Sequence, residues 1–144
     1  MPILLWPCLR GAIVAMLAGA SVAGFALRNG PALHPAERHG VMLLYVGADD
    51  CPPCRAWQAQ ARVTFQAAPE FAAVTYREVK SPKVLDLLKD EYWPDELRIY
   101  RDQVDRGSGV PLWFIVSDNG IVDRIAGISQ WQSAALPKLR SLLR

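Results

Sequence analysis

Residues 41–60, VMLLYVGADDCPPCRAWQAQ, constrain the fold more than any other part of this chain. Val41 through Val46 are an unbroken apolar run of strand length, the pattern of a strand covered on both faces. Two acids, Asp49 and Asp50, then lead into Cys51-Pro52-Pro53-Cys54 and a helix in which Trp57, Ala61 and Phe65 recur at four-residue spacing. Pro53 suits the first turn of that helix, where a missing N–H does no harm. The order places Cys51 at a helix N-terminus, where unsatisfied backbone N–H groups and the macrodipole favour an anion. For cysteine the anion is a thiolate, the nucleophile of thiol–disulfide exchange. A second thiol three positions on can close a small ring with the first and resolve what the first has attacked.

Downstream, residues 71–79 read as a second strand, with Val74, Tyr76 and Val79 as core contributors. Ser81-Pro82 resembles an N-cap followed by a proline in the first turn, so residues 84–93 are expected to be helical and to break at Pro94. A further helical piece over 95–104 ends at Gly107-Ser108-Gly109. Residues 112–116, LWFIV, form another fully apolar strand, and Asn119-Gly120 signals a two-residue hairpin of type I′. Residues 121–126 return as a fourth strand whose Asp123 and Arg124 suit an exposed edge. Ser129 and Gln132 have capping-box spacing ahead of a last helix carrying Trp131, Leu136, Leu139 and Leu142, which Pro137 must bend. A right-handed crossover makes the first two strands parallel, and the hairpin adds antiparallel strands. The expected class is α/β, a four-stranded mixed sheet flanked by helices.

Ahead of this domain, residues 11–27 are 17 consecutive uncharged, mostly apolar positions between Arg10 and Arg28. As a helix they would span about 25 Å, a little short for a bilayer core of roughly 30 Å and a little long for a signal h-region. Residues 1–27 are therefore read as a signal peptide or a signal anchor, inserted in the membrane transiently or permanently. Small-x-small cleavage sites occur at Ala18-Gly19-Ala20, Ser21-Val22-Ala23 and Gly24-Phe25-Ala26. Residues 28–40 form a Pro/Gly/polar linker, leaving 41–144 as the folded domain. Either reading exports that domain to the periplasm or the outer face of the membrane. Cys8 lies before the apolar segment, so Cys51 and Cys54 are the only cysteines in the exported part. With no others to build a structural framework, the pair reads as redox-active. A net charge of +2 without a Lys/Arg cluster argues against nucleic acid.

These residues resemble the thioredoxin-like family over essentially all of 41–143. The resemblance rests on four features in order: the CPPC pair between strand and helix, Val110-Pro111 before an apolar strand, the turn at Asp118-Asn119-Gly120, and Gly127 between the last strand and the last helix. It implies that Cys51 is the exposed attacking nucleophile and Cys54 the shielded resolving thiol. It also implies a cis peptide bond before Pro111, a Val110 backbone that pairs with extended substrate, and Gly127 flanking the groove. The clients implied are protein thiols and disulfides, and no cofactor is implied, because the electrons reside on the two sulfurs. Membrane-anchored bacterial members keep selected exported thiols reduced, draw electrons from a membrane redox partner and often serve cytochrome maturation. The oxidising members, which donate disulfides to newly exported chains, are the alternative within the class. Outside it stands a module that handles Cu(I) through the same two cysteines, although no downstream His or Met is placed to complete such a site.

The chain departs from the family pattern at three points. Asp50 stands where thioredoxins have a tryptophan, and Tyr45 where they have a buried acid that helps move the resolving thiol's proton. Pro52 replaces a glycine and removes a backbone N–H that could solvate the Cys51 sulfur. Asp49 and Asp50, if close to Cys51, oppose the thiolate, and Asp50 has a second reading as the helix cap. Elsewhere, His34 and His39 read as solvated linker residues and no metal site is expected. Trp57 and Trp113 read as core, and residues 90–96, DEYWPDE, as a packed Tyr/Trp pair with an acidic rim or as a partner-recognition lip.

Overall fold

Strand β1 (Met42–Ala48) sits inside a four-stranded sheet of order β2-β1-β3-β4, with β2 at Thr75–Ser81, β3 at Leu112–Ser117 and β4 at Gly120–Ala126. The computed structural model describes residues 40–105 and 107–144. The expected hydrophobic helix at 11–27, Cys8, and the linker histidines His34 and His39 lie outside the described residues. Among the described residues no helix is long and apolar enough to cross a membrane.

β1 runs parallel to β2 and antiparallel to β3, and β4 closes the edge antiparallel to β3. Because side chains alternate along a strand, β1 feeds two cores. Leu43 and Tyr45 join Trp57, Phe65, Trp113, Trp131 and Leu139 on one face. Leu44 and Val46 join Val79, Trp93, Leu97, Phe114 and Val116 on the other. The apolar runs of β1 and β3 are continuous for this reason: neither face of either strand meets water.

The first face is closed by α1 (Pro52–Ala59) and α2 (Ala61–Gln66), a helix interrupted at Gln60, followed by α3 (Pro69–Ala73). Trp57 and Phe65 are buried from it as their spacing indicates. Tyr45 stacks on Trp57 with ring centroids 4.4 Å apart, and Trp57 meets Trp131 edge-on at 5.2 Å. Such aromatic pairs are each worth roughly 0.5–1.5 kcal/mol beyond the area they bury.

Four local expectations are corrected. The second strand begins at Thr75, not at 71, because Pro69 opens α3 and carries Phe71 onto a helix. Residues 84–93 are not a helix but 3-10 turns at Val84–Asp86 and Asp90–Tyr92. A helix would give the Leu87 carbonyl to the Glu91 N–H; here it accepts from Trp93 Nε1 at 2.7 Å, which seats the indole in the core. Pro94 holds Trp93 extended and prevents an α-helical approach. Chain reversal between β3 and β4 occurs at Asp118 and Asn119, both at positive φ, one residue earlier than expected, and Gly120 pairs with Ser117 as the first residue of β4. Finally, the Ser129/Gln132 capping box does not form. The chain already turns at Gly127, with Gln130 and Trp131 N–H groups donating to the carbonyls of Gly127 and Ile128.

Pro137 has a structural explanation. A π-turn over Trp131–Ala135 precedes α4 (Leu136–Leu142), so the proline falls in the first turn of an α-helix, where its missing N–H is harmless. In 90–96 the acids pair outward, Asp90 with Arg101, Asp95 with Arg98 and Glu96 with Arg77, around the buried Trp93. That segment is a packed tryptophan with a charged rim.

Candidate active site

The end of β1 and the end of β2 are laced together beyond their last paired residues. Asp49 N donates to Ser81 O at 2.9 Å and Asp50 N to Pro82 O at 3.2 Å. Asp50 Oδ1 accepts from Val84 N at 2.8 Å. Asp50 is thus not the helix cap; its carboxylate is used to hold the turn that follows β2. Asp49 pairs with Lys80 at 3.5 Å, and its carbonyl accepts from Arg55 Nη1 at 2.8 Å.

Cys51 itself is the N-cap of α1, in extended conformation, and its Sγ accepts from Cys54 N at 3.1 Å. Pro52 and Pro53 occupy the first two helical positions and donate nothing. Cys54 N–H is therefore the first backbone donor the helix offers, and it is aimed at the Cys51 sulfur. The two cysteines are joined as a disulfide, with Cα atoms 5.2 Å apart. Cys51 is 5% exposed and Cys54 fully buried. The expectation of an exposed Cys51 is corrected: Val110 packs against the pair and Cys51 is buried. Of the two residues, Cys51 is the more accessible.

The Val110-Pro111 bond is cis. Val110 O lies 3.7 Å from Cys51 Sγ, a contact rather than a hydrogen bond because the disulfide sulfur carries no proton. Pro111 O accepts from Gly127 N at 2.8 Å, which ties the turn after β4 to the cysteine site. Gly127 adopts φ +90, a region that disfavours a side chain, although open space surrounds the position a Cβ would take. Cys51, Cys54, Val110, Pro111 and Gly127 are thus brought together, while Asp50 and Pro52 flank Cys51 in the chain and are exposed. Among the described residues, no group of three His, Cys, Asp or Glu side chains is placed to hold a metal ion.

Tyr45 occupies the place of the expected acid. It is fully buried, and its hydroxyl accepts from Gln58 Nε2 at 2.9 Å, while Gln58 Oε1 accepts from Lys80 Nζ at 3.3 Å. Burial pushes the phenol up to about 12, so this position is neutral at any ordinary pH. Gly47, two residues on along β1, lies under the ring: a Cβ there would sit 2.6 Å from Tyr45 Cζ. The signal for this Gly47–Tyr45–Gln58 arrangement in the sequence is a glycine two positions from a large aromatic in a buried strand.

No family model matches the sequence, and no curated protein matches it. Solved structures do. The chain is similar to the thioredoxin Mala s 13 of Malassezia sympodialis, with TM-score 0.50 and 16% identity over 74% of this chain and 80% of that one. It is similar to the periplasmic thioredoxin SoxS of Paracoccus pantotrophus, with TM-score 0.50 and 16% identity over 72% of this chain and 95% of that one. Thioredoxin f2 of Chlamydomonas reinhardtii gives TM-score 0.51 and 14% identity over 76% and 86%. The described domain has the thioredoxin-like fold, with a joined Cys-x-x-Cys pair at the start of its first helix.

Proposed function

We propose that this chain is an extracytoplasmic thiol–disulfide oxidoreductase that exchanges disulfides with protein cysteines, working in the reducing direction. The observation that carries this reading is the Cys51–Cys54 disulfide at the N-terminus of α1, with Cys54 N–H directed at Cys51 Sγ and the Val110 backbone beside it. In the reduced protein the Cys51 thiolate attacks one sulfur of a client disulfide. That S–S bond breaks, a client thiolate leaves, and a mixed disulfide forms. The Cys54 thiolate then attacks Cys51 Sγ, regenerates the bond seen here and releases the second client thiolate. Two electrons pass to the client, and a membrane dithiol donor restores them. Export is supported by the apolar run at 11–27 and by the restriction of the exported cysteines to this pair.

Equilibration of the Cys51–Cys54 couple against glutathione or dithiothreitol tests the reading. A potential near −270 mV, as in thioredoxin, supports a reductase, whereas one near −120 mV makes the chain a disulfide donor. Failure to form the intramolecular disulfide removes both and favours Cu(I) handling.

A further inference from the structure

Asp50 is tied to the turn after β2 through both its backbone and its side chain. Its N–H donates to Pro82 O at 3.2 Å, and its Oδ1 accepts from Val84 N at 2.8 Å. The carboxylate is therefore held in one place, on an exposed residue bonded directly to Cys51. Resting on the reading above, we infer that Asp50 is a specificity-determining residue: its fixed negative charge slows exchange with client cysteines flanked by acidic residues and favours those flanked by basic ones.

The bond to Val84 leaves the charge intact, because a backbone N–H is a neutral donor. Among the described residues no Lys or Arg forms an ion pair with Asp50. The charged neighbours have other partners. Asp49 pairs with Lys80 at 3.5 Å, and Lys80 Nζ also donates to Gln58 Oε1. Arg55, from α1, gives Nη1 to Asp49 O at 2.8 Å. Lys83, next to Val84, is exposed, and its ammonium sits on a flexible four-carbon stem, so its charge is spread where that of Asp50 is fixed. Asp105, which lines a cavity together with Val110, adds charge of the same sign as Asp50.

The reach of the charge follows from covalent geometry. Neighbouring Cα atoms are about 3.8 Å apart, so the carboxylate stays within about 10 Å of the Cys51 sulfur. At that range a unit charge should change the rate of a singly charged reagent about two- to fourfold, an effect that salt screens. A neutral reagent is indifferent to it.

The test uses the full reduced chain, with modification of Cys51 followed by peptide mass. Iodoacetamide is neutral and iodoacetate anionic. Both react with the same thiolate, so the ratio of their rates cancels any change in its ionisation. Asp50→Asn removes the charge but keeps an oxygen acceptor for Val84 N, whereas Asp50→Ala removes both. The iodoacetate/iodoacetamide ratio is expected to rise about two- to fourfold, and equally, in the two variants. The gap from the unsubstituted chain should close in 1 M salt, where the screening length is about 3 Å. Asp118→Asn is the control: Val116 pairs with Met42, the first residue of β1, so this exposed hairpin acid lies at the end of the sheet away from Cys51 and should leave the ratio as it was. Disulfide substrates complete the test. The rate on cystamine, a cation, divided by that on glutathione disulfide, an anion, should fall by at least about twofold in Asp50→Asn. An unchanged alkylation ratio, a rise in Asp50→Ala alone, an equal rise in Asp118→Asn, or an unshifted preference between the two disulfides overturns the assignment while leaving the oxidoreductase reading standing. Absence of exchange with either disulfide overturns that reading, and the specificity with it.

Discussion

Replacing Pro53 by alanine should make the Cys51–Cys54 couple more oxidising. An N-cap side chain takes its hydrogen bond from the second or third helical N–H. Here the second position is Pro53, so Cys51 Sγ has a single backbone donor, Cys54 N at 3.1 Å. Pro53→Ala supplies the other donor without disturbing the helix, since alanine is the strongest helix former. A hydrogen bond to a charged group is worth about 1.5–3 kcal/mol, and Cys51 is only 5% exposed, so water dilutes the gain little. The bond favours the thiolate and therefore the reduced state. For two electrons, 1.4 kcal/mol corresponds to 30 mV, so the potential should rise by roughly 30–60 mV. The shift should be measured at pH near 9, above the value of about 8.5 at which a free thiol ionises, and should fade as the sulfur protonates. Pro52→Ala is the control: the first helical N–H is not a capping donor, so its shift should be less than half as large. Glutathione equilibration read by thiol alkylation measures both. An unchanged or lowered potential in Pro53→Ala, or an equal shift in Pro52→Ala, would refute the single-donor argument.

Two further outcomes follow from the buried face of β1. Gly47→Ala drives a methyl group toward the Tyr45 ring, which is pinned by Trp57 and Gln58, and should destabilise the domain by about 1–3 kcal/mol in urea unfolding. Adding Tyr45→Phe should relieve only part of this, because Cζ remains 2.6 Å from the new methyl position. The second concerns alkaline stability. Burial raises Tyr45 from 10.0 to about 12, so the stability it contributes is complete below pH 10 and is lost as pH climbs through about 12. By pH 12 the loss should reach about 2 kcal/mol, and Tyr45→Phe should flatten that part of the curve. Tyr76, also raised by burial and by its hydrogen bond to Glu78, keeps the remainder. Identical slopes in the two proteins would contradict the assignment.

Where burial is two-sided, the sequence carried the fold in full. β1 and β3 are legible because an apolar run of strand length has few other homes, and Trp57 and Phe65 because helical spacing survives the break at Gln60. The cysteine pair, Val110-Pro111 and Gly127 are legible because their chemistry depends on order along the chain. Residues 84–93 misled for a specific reason. Their composition suits a helix, and the bond from Trp93 Nε1 to Leu87 O, together with the extended Trp93 before Pro94, breaks it into turns. Asp50 misled by position: a residue just before a helix reads as a cap, but its partner is Val84, 34 positions away and brought near only by the parallel pairing of β1 and β2.

The most direct test of the central claim is an asymmetric trap. Cys54→Ser and Cys51→Ser proteins, expressed as the full chain, would be compared for disulfide-linked complexes with client proteins on non-reducing gels. If Cys51 attacks and Cys54 resolves, Cys54→Ser accumulates complexes that reductant dissolves and Cys51→Ser does not. Equal trapping by both variants, or by neither, would contradict the assignment.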